Sequence, residues 1–307
     1  MMRISLCYND SSASAWLQAL TAALPQAEVS MWAPGAPPAD YAVVRAPTQQ
    51  FFDQQTQLKA VFNAAAGVDA LMALKLPVQT KLVRLDDAGM AVQMAEYVCH
   101  ALLRHFREFA LFDKSAQTNT WLPRASQDRA DFPVGIMGLG VLGERVAGAV
   151  AQFDFPVAGW SRSPKSLPGI TCYAGPQQFS DFLAATRVLV CLVPLTPDTR
   201  DILNYANLSR LRPQGYVINV ARGAHLVDED LLLLLDQGHL AGAALDVFRT
   251  EPLPDSHPFW KHPRITVTPH ISALTMCSES VLQIARKIEA LERGESVAGV
   301  VDRGRGY

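Results

Sequence analysis

Short apolar runs alternate, along the first third of the chain, with stretches whose apolar positions recur every three or four residues. Residues 4–8, 29–32, 41–45, 60–63 and 82–85 predict strands. Residues 13–24 and 89–112 carry helical periodicity, the second long enough to cross a domain boundary. Such alternation implies βα units feeding a parallel sheet. Residues 113–131 break the pattern: they are polar and irregular, hold Ser, Thr, Asn, Pro and an isolated Trp121, and read as a surface arm that could reach a partner subunit. A second βα series opens at Phe132, with strands predicted at 134–137, 157–160, 188–193, 216–220, 242–247 and 265–268. A last helix over 278–293 places Val281, Ile284, Ala285, Ile288 and Leu291 on one face. No internal repeat or low-complexity tract stands out.

The length of 307 residues suits two compact units. Hydrophobic residues at 49% and charged residues at 18% fit an ordinary globular protein. Lys and Arg number 27 against 29 Asp and Glu, a net charge of −2, so no basic excess exists to neutralise a nucleic acid backbone. Cys7, Cys99, Cys172, Cys191 and Cys277 are odd in number and lack CxxC spacing, which argues against a disulfide framework and a zinc site. No His/Asp/Glu cluster has ligand spacing, so no metal is expected. The N-terminal apolar run is too short for a signal peptide, and no run reaches the roughly 20 residues of a bilayer span. A cytoplasmic protein with no membrane partner is expected.

The chemistry starts at the first strand of the second series. Pro133-Val134-Gly135-Ile136-Met137 runs into Gly138-Leu139-Gly140-Val141-Leu142-Gly143, followed by a helical pattern. A GxGxxG between a strand and a helix is a strong dinucleotide signal. Gly138 permits the tight turn, Gly140 lets backbone N–H groups approach a pyrophosphate, and Gly143 lets helix and strand pack closely. The second strand ends in Ser161-Arg162-Ser163-Pro164-Lys165, with no carboxylate to accept the ribose hydroxyls of NAD. Hydroxyls, a guanidinium and an ammonium suit a 2′-phosphate, so NADPH is the favoured cofactor, with NADH possible.

Three later strand ends carry Asn219-Val220-Ala221-Arg222-Gly223, Asp246-Val247-Phe248-Arg249-Thr250-Glu251-Pro252-Leu253-Pro254, and Thr268-Pro269-His270-Ile271-Ser272. Strand C-termini are where open α/β sheets place ligand-facing residues. Arg222, Glu251 or His270 alone would signal little; together, downstream of a dinucleotide loop, they form a constellation. His100, His105, His225, His239, His257 and His262 lack such company and read as surface or packing residues.

These motifs closely resemble the D-isomer-specific 2-hydroxyacid dehydrogenase family, and within it the glyoxylate/hydroxypyruvate reductase A group, along essentially the whole chain. The resemblance implies NADPH-dependent reduction of small 2-keto acids, glyoxylate to glycolate and hydroxypyruvate to D-glycerate. It gives His270 the proton transfer to and from the substrate oxygen, Glu251 the orientation of the imidazole and support of its protonated form, and Arg222 the substrate carboxylate and carbonyl. Asp246 is expected near the nicotinamide carboxamide. Val193, Pro194 and Leu195 are expected against the adenosine half, with Val220 and Ala221 also among the cofactor contacts. Ala64-Ala65-Ala66-Gly67-Val68-Asp69 is similar to the family's GAGVD-type loop, offering the Ala66 and Gly67 amides to the substrate carboxylate. Arg84 resembles an arginine lining the same cleft. Trp121 matches an arm crossing a homodimer interface toward the partner's substrate pocket. Arg45 departs from the family, where an aromatic is usual.

The implied fold is α/β: two doubly wound, Rossmann/flavodoxin-like domains with the active site in the cleft between them. Residues 1–98 with 276–307 would form a discontinuous substrate domain, and 99–275 the NAD(P)-binding domain. Two other readings stay open: a non-catalytic dinucleotide-sensing regulator, and a dehydrogenase for another small acid.

Overall fold

The structure, a computed structural model, describes all residues except Asn9, Ala66 and 305–307. In chain order the elements are β1 (Met2–Tyr8), α1 (Ala13–Ala23), β2 (Ala27–Met31), β3 (Tyr41–Arg45), α2 (Gln49–Gln54), β4 (Ala60–Asn63), α3 (Asp69–Met72) and β5 (Lys81–Arg84). There follow α4 (Met90–Phe106), α5 (Phe109–Gln117), β6 (Val134–Met137), α6 (Val141–Ala151), β7 (Val157–Ser161) and β8 (Thr171–Ala174). The chain continues through α7 (Phe179–Ala185), β9 (Val188–Cys191), α8 (Tyr205–Leu208), β10 (Gly215–Asn219), α9 (Asp228–Asp236), β11 (Leu240–Leu245), β12 (Ile265–Val267) and α10 (Cys277–Glu292). Among the described residues no helix is long and apolar enough to cross a membrane.

Two compact units result: Met1–Met90 with Leu274–Tyr307, and Ala91–Ala273. The sequence places the changeovers at 98/99 and 275/276; the first falls instead at the start of α4. The reason is packing, since Met94, Ala95, Val98, Ala101 and Leu102 of that helix join the core of the second unit.

The first unit is a five-stranded parallel sheet in the order β2-β1-β3-β4-β5. Cys7, Ala42, Val44, Val61 and Leu82 pack with Phe51, Phe52, Leu58 and Leu71. The chain's last segment completes this unit. The Val301 N–H donates to the Leu82 carbonyl and the Arg84 N–H to that of Gly299, closing the outer edge of β5. Buried Lys287 of α10 donates to Asp86 (2.8 Å) and to the carbonyls of Ala298 (2.8 Å) and Arg84 (3.2 Å).

The second unit is a seven-stranded parallel sheet in the order β12-β11-β10-β9-β6-β7-β8. Alternation along its strands feeds two cores. Val134, Ile136, Val188, Val190 and Ile218 face one core with Val146 and Val150 of α6, while Met137, Leu189, Cys191, Val217 and Leu245 face the other with Leu231 and Leu234 of α9. A sheet covered on both faces needs apolar residues at every position, which explains why its strands read as unbroken runs. Strand order reverses between β6 and β9, and a crevice at the carboxyl ends of such a switch point is where doubly wound sheets bind ligands.

One expected helix is two. The run over 89–112 breaks after α4, where Glu108 adopts φ +53° and holds Arg124 through two hydrogen bonds of 3.0 and 2.8 Å. A left-handed residue cannot continue the helical ladder, so α5 leaves in a new direction.

Candidate active site

The glycine loop 138–143 occupies the switch point. Gly138 has φ +114°, and a Cβ there would meet the Leu192 carbonyl at 2.8 Å, so both conformation and space require glycine. At Gly143 a Cβ would lie 1.8 Å from the Gly138 carbonyl oxygen, fixing the close approach of α6 to β6. Gly140 differs: it caps α6, and nothing lies within 4 Å of its would-be Cβ. Open space before a helix N-terminus, whose first N–H groups lack intrahelical acceptors, fits a dinucleotide's phosphates. Leu139 is buried against Gly159, whereas Val141 is exposed beside that opening and Leu142 half-buried.

At the end of β7, Ser161 is buried and its hydroxyl donates to the Ser163 carbonyl at 2.8 Å, folding the loop back on itself. Arg162 and Ser163 are exposed. Lys165 forms an ion pair with Glu144 in the first turn of α6, a partner the sequence did not reveal. After β9, Val193 is buried, Pro194 exposed and Leu195 half-buried. The Thr199 hydroxyl pins this loop by donating to the Pro194 carbonyl (2.7 Å) and accepting from the Thr196 N–H (2.8 Å).

The chemistry-bearing residues converge through a short series of contacts. Asn219, buried at the end of β10, accepts from the Ala221 N–H (3.2 Å) and donates to the Arg222 carbonyl (3.1 Å), shaping the turn that presents Arg222. The Arg222 guanidinium donates to the Ala221 carbonyl at 2.6 Å and is half-buried. Val220 and Ala221, just before it in the chain, are buried. Gly223 abuts Phe248 so closely that a Cβ would fall 1.8 Å from the Phe248 carbonyl carbon. The Phe248 N–H donates to Glu251 Oε1 (2.9 Å), and Glu251 Oε2 lies 2.7 Å from His270 Nδ1. With Nδ1 committed to a carboxylate, Nε2 is the nitrogen left to exchange a proton with a ligand.

His270 takes φ +55°, a conformation costly for a non-glycine residue. Asp246 holds it there. The Asp246 carbonyl accepts the His270 N–H (2.8 Å), and its carboxylate accepts from the Ile271 N–H (2.8 Å), the Ser272 N–H (2.7 Å) and the Thr268 hydroxyl (2.6 Å). Because a carboxylate only accepts, Thr268 donates, and the Tyr97 hydroxyl 2.6 Å away must donate to Thr268. Burial pushes the Tyr97 hydroxyl up to about 12, which keeps that proton in place. Asp246, expected near the nicotinamide, is fully buried at 0% exposure with these donors around it, and its contribution here is to hold the His270 turn.

In the first unit, Gly67 is half-buried and its carbonyl accepts from buried Asn63 at 2.6 Å, a second asparagine that sequence reasoning passed over. Ala66 lies outside the described residues. Arg84 is exposed at the end of β5. Arg45 donates to the Tyr8 hydroxyl (3.3 Å) and pairs with Asp10 (3.5 Å). Trp121 is 95% exposed with Leu122 beside it, and Phe109, Leu111 and Phe112 of α5 also face solvent.

Against this geometry stand the similarities to known proteins. The profile of the D-isomer specific 2-hydroxyacid dehydrogenase NAD binding domain matches residues 99–272. The chain is 47% identical, over all of both chains, to a glyoxylate/hydroxypyruvate reductase A of Serratia proteamaculans. Two solved structures superpose along nearly their whole length. One is an NADPH-dependent glyoxylate/hydroxypyruvate reductase of Sinorhizobium meliloti in complex with NADP and sulfate (TM-score 0.94, 34% identity, 100% of each chain). The other is a D-isomer specific 2-hydroxyacid dehydrogenase of Xanthobacter autotrophicus in complex with NADPH and MES (TM-score 0.93, 36% identity, 99% of each chain).

Proposed function

The chain belongs to the D-isomer specific 2-hydroxyacid dehydrogenases, and from that premise we propose that it reduces glyoxylate and hydroxypyruvate with NADPH. The observation that carries this reading is the Glu251–His270 pair at 2.7 Å, held one contact away from the Arg222 turn at the carboxyl ends of the sheet.

Bound NADPH supplies a hydride to the carbonyl carbon of the keto acid. Its diphosphate would rest on the backbone of Gly140, Val141 and Leu142, and its 2′-phosphate on Ser161, Arg162 and Ser163. Val193, Pro194, Leu195, Val220 and Ala221 would flank the rest. Arg222 holds the substrate carboxylate and draws charge onto the carbonyl oxygen, for which a permanently charged planar fork is suited. His270 Nε2 gives its proton to that oxygen as negative charge develops there, yielding the hydroxyl of glycolate or D-glycerate. Glu251, anchored by the Phe248 N–H, keeps the ring turned and balances the imidazolium before transfer. Gly67 and Arg84 are proposed substrate-binding residues of the first unit.

We assign the protein to the cytoplasm as a homodimer. The assembly is supported by Trp121, 95% exposed on the loop that follows α5, since a large apolar side chain facing solvent marks a contact region.

The test is oxidation of NADPH followed at 340 nm with a panel of 2-keto acids. Turnover of glyoxylate and hydroxypyruvate is expected, with NADH a poorer donor. Cofactor binding without turnover of any keto acid would sink the enzyme reading.

A further inference from the structure

His225 has 0% exposure, and its ring lies between two loops of the second unit. Nδ1 is 3.2 Å from the Arg222 nitrogen and 3.1 Å from the Arg222 carbonyl oxygen; Nε2 is 3.4 Å from the Pro194 carbonyl oxygen. A carbonyl only accepts, so the Pro194 contact requires the proton on Nε2. In a neutral imidazole that leaves Nδ1 as an acceptor, and the donor it faces is the Arg222 N–H. The Arg222 carbonyl already receives the His225 N–H (3.2 Å) and Asn219 Nδ2 (3.1 Å), two donors for two lone pairs. These contacts point to the Nε2–H tautomer, strung between Pro194 and Arg222.

That placement matters because Arg222 stands at a pivot. It is extended (φ −142°, ψ 146°) immediately before the 3-10 turn Gly223–His225, and Gly223 is pressed against Phe248 with no room for a side chain. With Gly223 immobile and the Arg222 carbonyl held by Asn219, the remaining freedom lies in the Ala221–Arg222 peptide that carries the Arg222 N–H, and a long side chain magnifies it at the guanidinium. The His225 Nδ1 bond removes it. Resting on the reading of Arg222 as the substrate-carboxylate anchor, we infer that His225 is a positioning residue. Its Nδ1 sets Arg222 for the keto acid, and its Nε2–H holds the Pro194 loop proposed for the cofactor.

Asparagine and glutamine separate the two bonds, since Asn Oδ1 stands where Nδ1 accepts and Gln Nε2 stands where Nε2–H donates. Steady-state kinetics with NADPH and glyoxylate are compared for the wild type, His225→Asn, His225→Gln and Arg222→Lys. His225→Gln should raise the KM for glyoxylate about tenfold and leave that for NADPH within about twofold. His225→Asn should keep the glyoxylate KM within about twofold and raise the NADPH KM about threefold. Identical behaviour of the two variants, or a loss of kcat with both KM values unchanged, overturns the inference. An unchanged glyoxylate KM in Arg222→Lys would instead overturn the anchor reading itself; a raised one beside a flat His225 series overturns only the positioning role. Nitrogen NMR of the wild-type histidines needs no variant to fold: an Nε2–H signature for His225 supports the inference, and an Nδ1–H signature overturns it.

Discussion

At the scale of single residues, the glycine loop and the Arg222, Glu251 and His270 set were legible because each lies in a motif at a strand end. What surrounds them was not. Thr268 and Tyr97 act through hydrogen bonds that span 22 and 171 residues, which spacing along the chain does not disclose. Asn219 and Asn63 bond backbone two to four residues on, in local turns that the side chains alone do not announce. His225 read as a packing residue and is bonded to Arg222; Lys165 read as a ligand for a 2′-phosphate and is paired with Glu144. These findings shape four predictions. Replacing His270 by Ala should lower kcat about a thousandfold while NADPH still binds, measured by fluorescence titration. Arg162→Ala should weaken NADPH far more than NADH. Lys165→Ala should weaken both alike, because it uncovers the Glu144 carboxylate in the first turn of α6, where the diphosphate is proposed to rest; selective loss of NADPH would return Lys165 to the 2′-phosphate. The fourth concerns His105, stacked at 4.0 Å on Tyr216, with Nε2 lacking a hydrogen-bond partner among the described residues. Burial, helped by the nearby Arg187 charge, lowers its pKa from 6.5 to about 4. The unfolded chain thus takes up a proton between those values that the folded chain refuses, so this stability is present above pH 6.5 and is lost as pH falls toward 4. From pH 7.5 to 5 the loss should be about 2 kcal/mol by urea denaturation, and His105→Phe should abolish it.

At the scale of elements, strands β3, β4 and β6 fall where the apolar runs place them, and most others within two residues at each end. A sheet buried on both faces writes itself as continuous apolar runs, which is why the positions were readable. β8 escaped because it is an edge strand, Thr171–Ala174, with none of its residues buried. The break between α4 and α5 escaped because helical periodicity runs through it; the cause is the backbone of Glu108, clasped by Arg124 from sixteen residues away. The tightest junction of elements is β6 with α6. Gly143→Ala would place a methyl group inside the Gly138 carbonyl, a clash with backbone that no rotamer relieves. It should cost about 3 kcal/mol of stability and abolish NADPH binding, read by thermal melting with and without cofactor.

At the scale of the whole molecule, the first unit is assembled from both ends of the chain, and α10 is fastened to it by a buried ammonium. Lys287→Met would leave Asp86 and two carbonyls without their donor, at a cost of about 2 kcal/mol once the partial exposure of Asp86 is allowed for. Denaturation of the variant beside the wild type measures it. The oligomer is tested by light scattering coupled to size exclusion: the wild type should elute as a dimer, and Trp121→Asp should shift it toward monomer. Within the second unit, the segment from Ser161 to Lys165 belongs to neither apolar core, whereas Arg222, Glu251 and His270 are braced by buried neighbours. On the proposed reading, donor preference and reaction chemistry are thus inherited through separate stretches of gene. A lineage moving between NADPH and NADH pools would rewrite a few surface codons after β7 and leave the catalytic strand ends, and the fold that braces them, untouched.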